Sequence, residues 1–166
     1  MKREFRYDLI PQMKTYDSLG FEWLPYLMFS QTPNFRSDVI NTDENGYRFS
    51  NKKDISHKNI FEVGKKDIQI KGVNLILGNS FGFGVGATED AATISGNLND
   101  KNIFYNIACR AHVGFQEIIS VFSNIHKFNK INKIIVISGI ADFYLSNYFK
   151  MTYPDLLYFN SDFLSS

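Results

Sequence analysis

Hydrophobic positions from about residue 70 onward fall into short, mainly apolar runs that have the length of β-strands. Runs of this kind cover residues 73–77, 103–108 and 133–138, and polar or glycine-rich segments bound them. The third run is almost wholly β-branched, which predicts a central strand that is buried on both faces.

Between these runs, the spacing of apolar residues predicts helices. One covers about residues 90–98, with Thr88 or Glu89 near its start, and the other about residues 114–128. Strands that alternate with helices predict an α/β fold of three layers, with a mostly parallel, doubly wound sheet and right-handed crossovers. In the second helix, residues at three- and four-residue intervals make one apolar face: Phe115, Ile118, Ile119, Phe122 and Ile125.

The first 60 residues have a different character. They contain three prolines and scattered aromatic residues, and Asn45-Gly46 between two apolar segments is a hairpin-turn signal. We therefore expect two parts. Residues 1–60 form an irregular N-terminal extension, with turns and short strands packed on the core, and residues 61–166 form a partial α/β domain.

The predicted sheet is unfinished. After Phe143 the sequence offers no fourth strand as strong as the first three, whereas parallel sheets normally have both faces covered and their edges protected. We expect either that partner chains cover the sheet, including self-association through an open edge, or that the chain is the N-terminal portion of a longer protein.

Composition and charge narrow the classes of function. The 166 residues suffice for one domain with a sizeable core, and a net charge of +1 with 21% charged residues favours neither nucleic acid nor an anionic membrane as a partner. No apolar segment has the length of a signal peptide core or a membrane span, which favours a cytoplasmic location. The single cysteine, Cys109, excludes an internal disulfide, and we expect it to be a buried small hydrophobic residue.

The strongest chemical signal is Gly78-Asn79-Ser80, at the end of the first predicted strand. Ligands bind at the carboxyl ends of strands in open α/β sheets, and a tight turn there lifts the serine hydroxyl out of the sheet, where it can act as a nucleophile. Glycines at 82, 84 and 86 would let a substrate approach the backbone. Their spacing differs from the dinucleotide-binding Gly-x-Gly-x-x-Gly pattern, and no Gly-Lys-Ser/Thr follows, so we expect no cofactor.

Three segments, in order, resemble the sequence blocks of the SGNH (GDSL-type) hydrolases, a family of esterases and deacetylases. Gly78-Asn79-Ser80 resembles the first block; residues 106–117 resemble the second, often Asn-Leu-Gly-Val-Arg-Gly followed by Gln-Glu; and residues 138–142 resemble the third, usually Gly-x-Asn-Asp. Residues 34–48 are similar to the segment that precedes the catalytic domain in bacterial members tied to surface-polysaccharide modification. The resemblance implies an SGNH or flavodoxin-like sheet, incomplete or degenerate at its C-terminal side.

The resemblance also implies a serine esterase with an oxyanion hole. Ser80 would be the nucleophile and would supply one oxyanion N–H, and Ala111, where the family has glycine, would supply a second backbone N–H. Ala141 stands where the family has an asparagine amide, so that donor is lost. The loss of one such donor lowers the stabilisation of the transition state by about 3 kcal/mol. The expected substrate-binding residues are Asn79, Phe81 and Asp142. Asn79 replaces the usual aspartate and shapes the turn, and Phe81, together with Phe83, either lines an acyl or sugar pocket or packs on the turn. Asp142 either contacts the substrate or caps the element after the third strand.

The family's general base has no counterpart in this sequence. Members supply it from an Asp-x-x-His block near the C-terminus, whereas the histidines here are His57, His112 and His126. His112 follows the second predicted strand on the side of Ser80, yet we expect it to be a partly exposed residue at a helix start. His57 belongs to an exposed basic loop and His126 to the solvated end of the long helix. No pair has metal-ligand spacing, and we predict no metal site.

Two functions are compatible with these residues. The first is a serine hydrolase of ester-linked acyl groups, with O-acetyl groups on carbohydrate as the suggested substrate, Ser80 as nucleophile and a base supplied from outside this sequence. The alternative is a non-catalytic SGNH-like module for binding or assembly in glycan biosynthesis, in which Ala141 and the absent histidine mark lost chemistry.

Overall fold

The computed structural model describes residues 3–50, 72–98, 104–140 and 143. These residues form an α/β fold with an antiparallel strand pair and a parallel sheet of three strands. The helices are α1 (Arg3–Leu9), α2 (Met13–Ser18), α3 (Ser80–Phe83), α4 (Ile94–Leu98) and α5 (Gly114–Asn124), with short 3-10 turns at Asp90–Ala92 and Ile125–Lys127. The strands are β1 (Phe21–Leu24), β2 (Met28–Gln31), β3 (Val73–Gly78), β4 (Phe104–Asn106) and β5 (Ile131–Ile137).

The parallel sheet has the strand order β4-β3-β5. Every residue of β3 is buried, so the run predicted at residues 73–77 is the central strand. The prediction that the third run is central was wrong. Among the described residues β5 is an edge strand, and its Ile134 and Val136 side chains are 48% and 59% exposed. A β-branched composition suits a pleated, half-buried surface, which an edge strand provides as well as a central one.

The helix predicted over residues 90–98 is interrupted at Thr93. A 3-10 turn precedes this residue, and α4 begins after it. The Thr93 hydroxyl donates to Asp90 O (2.7 Å) and accepts a hydrogen bond from Gly96 N (3.0 Å). The expectation of one continuous helix was wrong, because this hydroxyl closes the turn before it and caps the helix after it.

Helix α5 lies where the spacing predicted it, but the face it buries is polar. Gln116 Nε2 donates to Leu27 O (3.0 Å), and Asn124 Nδ2 donates to the Tyr47 hydroxyl (2.8 Å). Because buried polar groups need such partners, these bonds fix the helix against the first 50 residues. Within the described structure, the apolar side chains of the opposite face are between 44% and 69% exposed: Phe115, Ile118, Phe122 and Ile125.

The N-terminal residues contain more regular structure than the irregular extension we expected, including α1, α2 and the β1–β2 hairpin. The turn predicted at Asn45-Gly46 is confirmed, since Thr42 and Arg48 form an antiparallel bridge around it. Gly46 has φ +80°, and a Cβ at this position would lie 2.1 Å from Gln31 O. The turn therefore requires glycine for both its conformation and its packing.

Two apolar clusters hold these N-terminal residues to the sheet. One joins Tyr47 to Leu75 of β3 and Tyr105 of β4, and the other joins Tyr16 to Phe83 of α3. Complete burial of a large apolar side chain stabilises a protein by about 1.5–3 kcal/mol. The described part of residues 3–50 is therefore packed on the core and contacts the segment that carries Ser80.

Candidate functional site

Ser80 begins α3, separated by one residue from the end of the central strand β3. The side-chain oxygen of Asn79 accepts a hydrogen bond from Phe81 N (3.1 Å), and Ser80 O accepts from Gly84 N (3.1 Å) and Val85 N (3.0 Å). These bonds fix the backbone on both sides of Ser80, whose side chain is half-buried. Asn79 is itself buried and caps the turn; the contact it was expected to make with substrate stays a prediction.

Two glycines of this turn are required by close packing. Gly84 has φ +83°, and a Cβ there would lie 2.7 Å from Thr93 Cγ2. A Cβ on Gly82 would lie 2.9 Å from Ala108 Cβ. At these two positions glycine allows neighbouring segments to approach the turn, a different role from the access to substrate that the sequence suggested.

The loop after β4 packs directly against the Ser80 turn. Asn106 Nδ2 donates to Gly82 O (2.9 Å), and Cys109 N donates to Gly78 O (3.0 Å). The first two sequence segments that carry the resemblance therefore meet at the carboxyl edge of the sheet. In the same loop Ala111 has φ +63°, a left-handed conformation that normally favours glycine.

Within the described residues, two backbone N–H groups at this edge have no acceptor. Among the described residues, neither Ser80 N nor Ala111 N donates a hydrogen bond, and the Ser80 hydroxyl has no partner there either. Most backbone N–H groups in folded proteins are paired. Backbone N–H groups at the edge of the sheet that carries a serine are the kind of group that can stabilise a developing oxyanion.

Replacing Ala111 by glycine is expected to raise the free energy of unfolding by about 0.5–1 kcal/mol. The left-handed conformation costs a non-glycine residue about 1–2 kcal/mol, and the greater freedom of glycine in the unfolded chain offsets part of that gain. Urea denaturation at neutral pH measures the change. The matched control is Ala108→Gly, at a buried position without positive φ, which should lose stability. An equal loss in both variants would contradict the prediction.

The third segment singled out by the sequence begins where β5 ends. Gly78, the last residue of β3, packs so closely on β5 that a Cβ there would lie 2.3 Å from Ile137 O. The segment that follows includes Ile140, which is 70% exposed. Ala141 and Asp142 lie outside the described residues, so the lost oxyanion donor and the substrate or capping role of Asp142 stay predictions.

The two phenylalanines beside Ser80 have opposite environments. Phe81 is 64% exposed, whereas Phe83 is fully buried in the cluster with Tyr16. Phe83 thus packs on the turn, one of the two roles considered for it. Phe81 is the aromatic side chain that remains accessible to a ligand at Ser80.

His112 is bound to the N-terminal hairpin. Its Nε2 lies 2.9 Å from Phe29 O, and its ring is 1% exposed, with the centroid 5.3 Å from that of the Phe29 ring. The expectation of partial exposure was wrong, because Phe29 of β2 covers the ring. Burial lowers the pKa of His112 to about 4, so it is neutral near pH 7. His126 is exposed, as predicted, and His57 lies outside the described residues.

The sequence analysis did not single out Arg48, the largest of the fully buried side chains among the described residues. Its Nε donates to Asp90 Oδ1 (2.8 Å), and Asp90 Oδ2 accepts from Asn41 Nδ2 (2.7 Å). Burial raises the pKa of Asp90, while Arg48 and Asn41 oppose that shift. Asp90, at the start of the helix predicted over residues 90–98, is thus the partner of a buried arginine.

Two further candidates for chemistry, the Cys109 thiol and a metal site, supply no reactive group in the part of the chain that the structure describes. Cys109 is buried, as predicted, and accepts a hydrogen bond from Gln31 Nε2 (3.0 Å). Burial raises the pKa of its thiol to about 12, so it is not a thiolate nucleophile at neutral pH. Within the described ranges, no group of three or more His, Cys, Asp and Glu side chains could hold a metal ion.

Comparison with known proteins assigns neither a family nor a function to this chain. Neither models of protein families nor curated proteins match this sequence. Among the described segments, no helix has the length and hydropathy needed to cross a membrane. The candidate site therefore rests on its geometry, in which a serine follows the central strand and two N–H groups without an acceptor among the described residues lie at the same edge of the sheet.

Proposed function

We propose that this chain is an SGNH-type serine esterase domain that acts on ester-linked acyl groups, with O-acetyl groups on carbohydrate as the substrate class. The observation that carries the proposal is a pair of N–H groups, on Ser80 and Ala111, that have no acceptor among the described residues and follow two adjacent parallel strands. The left-handed conformation of Ala111 also supports it, since the resemblance aligns this position with a glycine.

The strand order supports the same proposal. In doubly wound sheets with the order 2-1-3, the switch point lies beside the first strand, and ligands bind at its carboxyl end. Here β4, β3 and β5 are the second, first and third strands of that pattern. Ser80 follows the first strand and thus occupies the position where such folds bind their ligands.

In the proposed reaction, Ser80 Oγ attacks the ester carbonyl carbon, and the negative charge that develops on the carbonyl oxygen is stabilised by the N–H groups of Ser80 and Ala111. The serine proton passes to a general base, the alcohol leaves, and water then hydrolyses the acyl-enzyme. His112 is bound to Phe29 and its imidazolium form is disfavoured by burial. The proposal therefore requires a base from outside the described residues.

Labelling with a fluorophosphonate probe, together with hydrolysis of p-nitrophenyl acetate, tests the proposal. We expect one probe per chain on Ser80, and a loss of about a thousandfold or more in hydrolysis on Ser80→Ala. The matched control is Ser123→Ala, on the exposed side of α5, which should keep both signals. No labelling at Ser80, or equal hydrolysis by Ser80→Ala, would overturn the proposal and favour the non-catalytic module.

A further inference from the structure

The turn that follows Ser80 receives hydrogen bonds from the first 50 residues as well as from its own backbone. Arg48 Nη1 donates to Gly84 O (2.9 Å) and Phe83 O (3.3 Å). The Tyr16 hydroxyl lies within hydrogen-bonding distance of Gly84 O (2.8 Å) and Ala87 O (2.9 Å). Glycines in the turn have no side chains of their own to hold it, so these contacts from distant residues add to the backbone bonds within the turn.

The Arg48 guanidinium is itself held in one position. Its side chain is fully buried, its Nε is paired with Asp90 Oδ1 (2.8 Å), and its Nη2 donates to Val39 O (2.7 Å). Its Nη1 also donates to the Tyr16 hydroxyl (2.8 Å), and its Cζ lies 5.4 Å from the centroid of the Phe83 ring. A planar guanidinium bonded on every nitrogen and packed on an aromatic ring has little freedom to move.

Gly84 links this guanidinium to the backbone of Ser80. Gly84 accepts a hydrogen bond from Arg48 through its carbonyl oxygen and donates one to Ser80 O through its N–H (3.1 Å). A shift of Gly84 therefore moves Ser80. Displacements of about 1 Å at a reacting group can lower a rate by about a hundredfold, so the position of Gly84 matters for chemistry at Ser80.

We propose that Arg48, held by Asp90 and Tyr16, is the positioning residue of Ser80 and fixes its orientation through the carbonyl of Gly84. The catalytic part of this proposal rests on the proposed esterase function, whereas the positioning itself does not. Arg48 makes no contact with substrate in this role. Its loss lowers kcat and leaves KM unchanged, because it disturbs the reacting serine and not the binding of the ester.

The test compares Arg48→Lys and Tyr16→Phe in the full chain with Tyr47→Phe. Tyr47→Phe is a matched control, because it also removes one buried hydroxyl of the N-terminal region, here the acceptor for Asn124 Nδ2 (2.8 Å). Amide hydrogen exchange is measured at Gly84 and Val85, which donate to Ser80 O, and at the buried strand β3. In parallel, kcat and KM are measured with p-nitrophenyl acetate.

We expect Arg48→Lys and Tyr16→Phe to speed exchange at Gly84 and Val85 about tenfold relative to β3, with a fall in kcat at constant KM and no such selectivity in Tyr47→Phe. Uniform exchange changes over turn and strand, or the same selectivity in the control, would overturn the proposal. Selective exchange with an unaltered kcat in an active enzyme would also overturn it and would leave the esterase function intact. If Ser80 neither reacts nor labels, the esterase function fails, and the exchange ratio still decides the positioning role.

Discussion

Asp90→Ala is expected to lower the free energy of unfolding by about 3–5 kcal/mol, because it leaves the Arg48 guanidinium buried without a counter-charge. The side chains of the pair are 0% and 9% exposed, and Nε and Oδ1 are 2.8 Å apart. The substitution also removes the acceptor for Asn41 Nδ2. Urea or guanidinium unfolding at pH 7, followed by circular dichroism, measures the loss.

The chain provides its own control for this substitution. Arg6 and Asp17 form a second ion pair, whose side chains are 37% and 28% exposed. Exposed pairs contribute about 0–1 kcal/mol, so Asp17→Ala should change stability by no more than that. The double variant Arg48→Met with Asp90→Ala should recover part of the loss, since no unpaired charge stays buried. If Asp90→Ala costs no more than Asp17→Ala, Arg48 does not depend on this ion pair.

The sequence predicted those elements whose conformation depends on residues that are neighbours in the chain. The mainly apolar run at residues 73–77 predicts β3 because such a run suits a strand covered on both faces. Asn45-Gly46 predicts its turn because positive φ is accessible there. Whether a strand is central or at an edge depends instead on its neighbours, so composition gave the wrong position for β5.

The buried face of α5 shows the same limit. Its periodicity marked an apolar face, yet the described structure buries Gln116 and Asn124 against the N-terminal residues. Which face of a helix is buried depends on the elements that pack against it, and polar side chains can be buried where they meet hydrogen-bond partners. Periodicity alone does not say which partners the chain supplies.

For the candidate site, the sequence indicated that Ser80 and Ala111 follow successive strands, but it did not indicate which distant residues contact the site. Both positions follow strand signals, and adjacent parallel strands bring their carboxyl ends to one edge. Arg48 and Asp90 are 42 positions apart in the chain, and His112 and Phe29 are 83 apart. Spacing carries no information about such contacts, which depend on how the N-terminal residues pack on the sheet.

His112 is expected to make the protein sensitive to acid. Its folded-state pKa of about 4 is below the ordinary value of 6.5, because burial disfavours the imidazolium form. A group with a lowered folded pKa contributes stability that is present above the unfolded pKa and is lost as pH falls through the folded one. At about 1.4 kcal/mol per pK unit, the loss between pH 6.5 and pH 4 is about 3 kcal/mol.

Urea unfolding at several pH values between 4 and 7 measures this loss, and the difference between variant and wild type removes the contribution of the carboxyl groups. His112→Gln keeps a side-chain donor for Phe29 O but cannot titrate, so its stability should fall less steeply as the pH drops. His126→Gln, at an exposed position, should keep the wild-type dependence. Equal slopes for His112→Gln and wild type would mean that the imidazole accepts a proton without leaving its site beside Phe29.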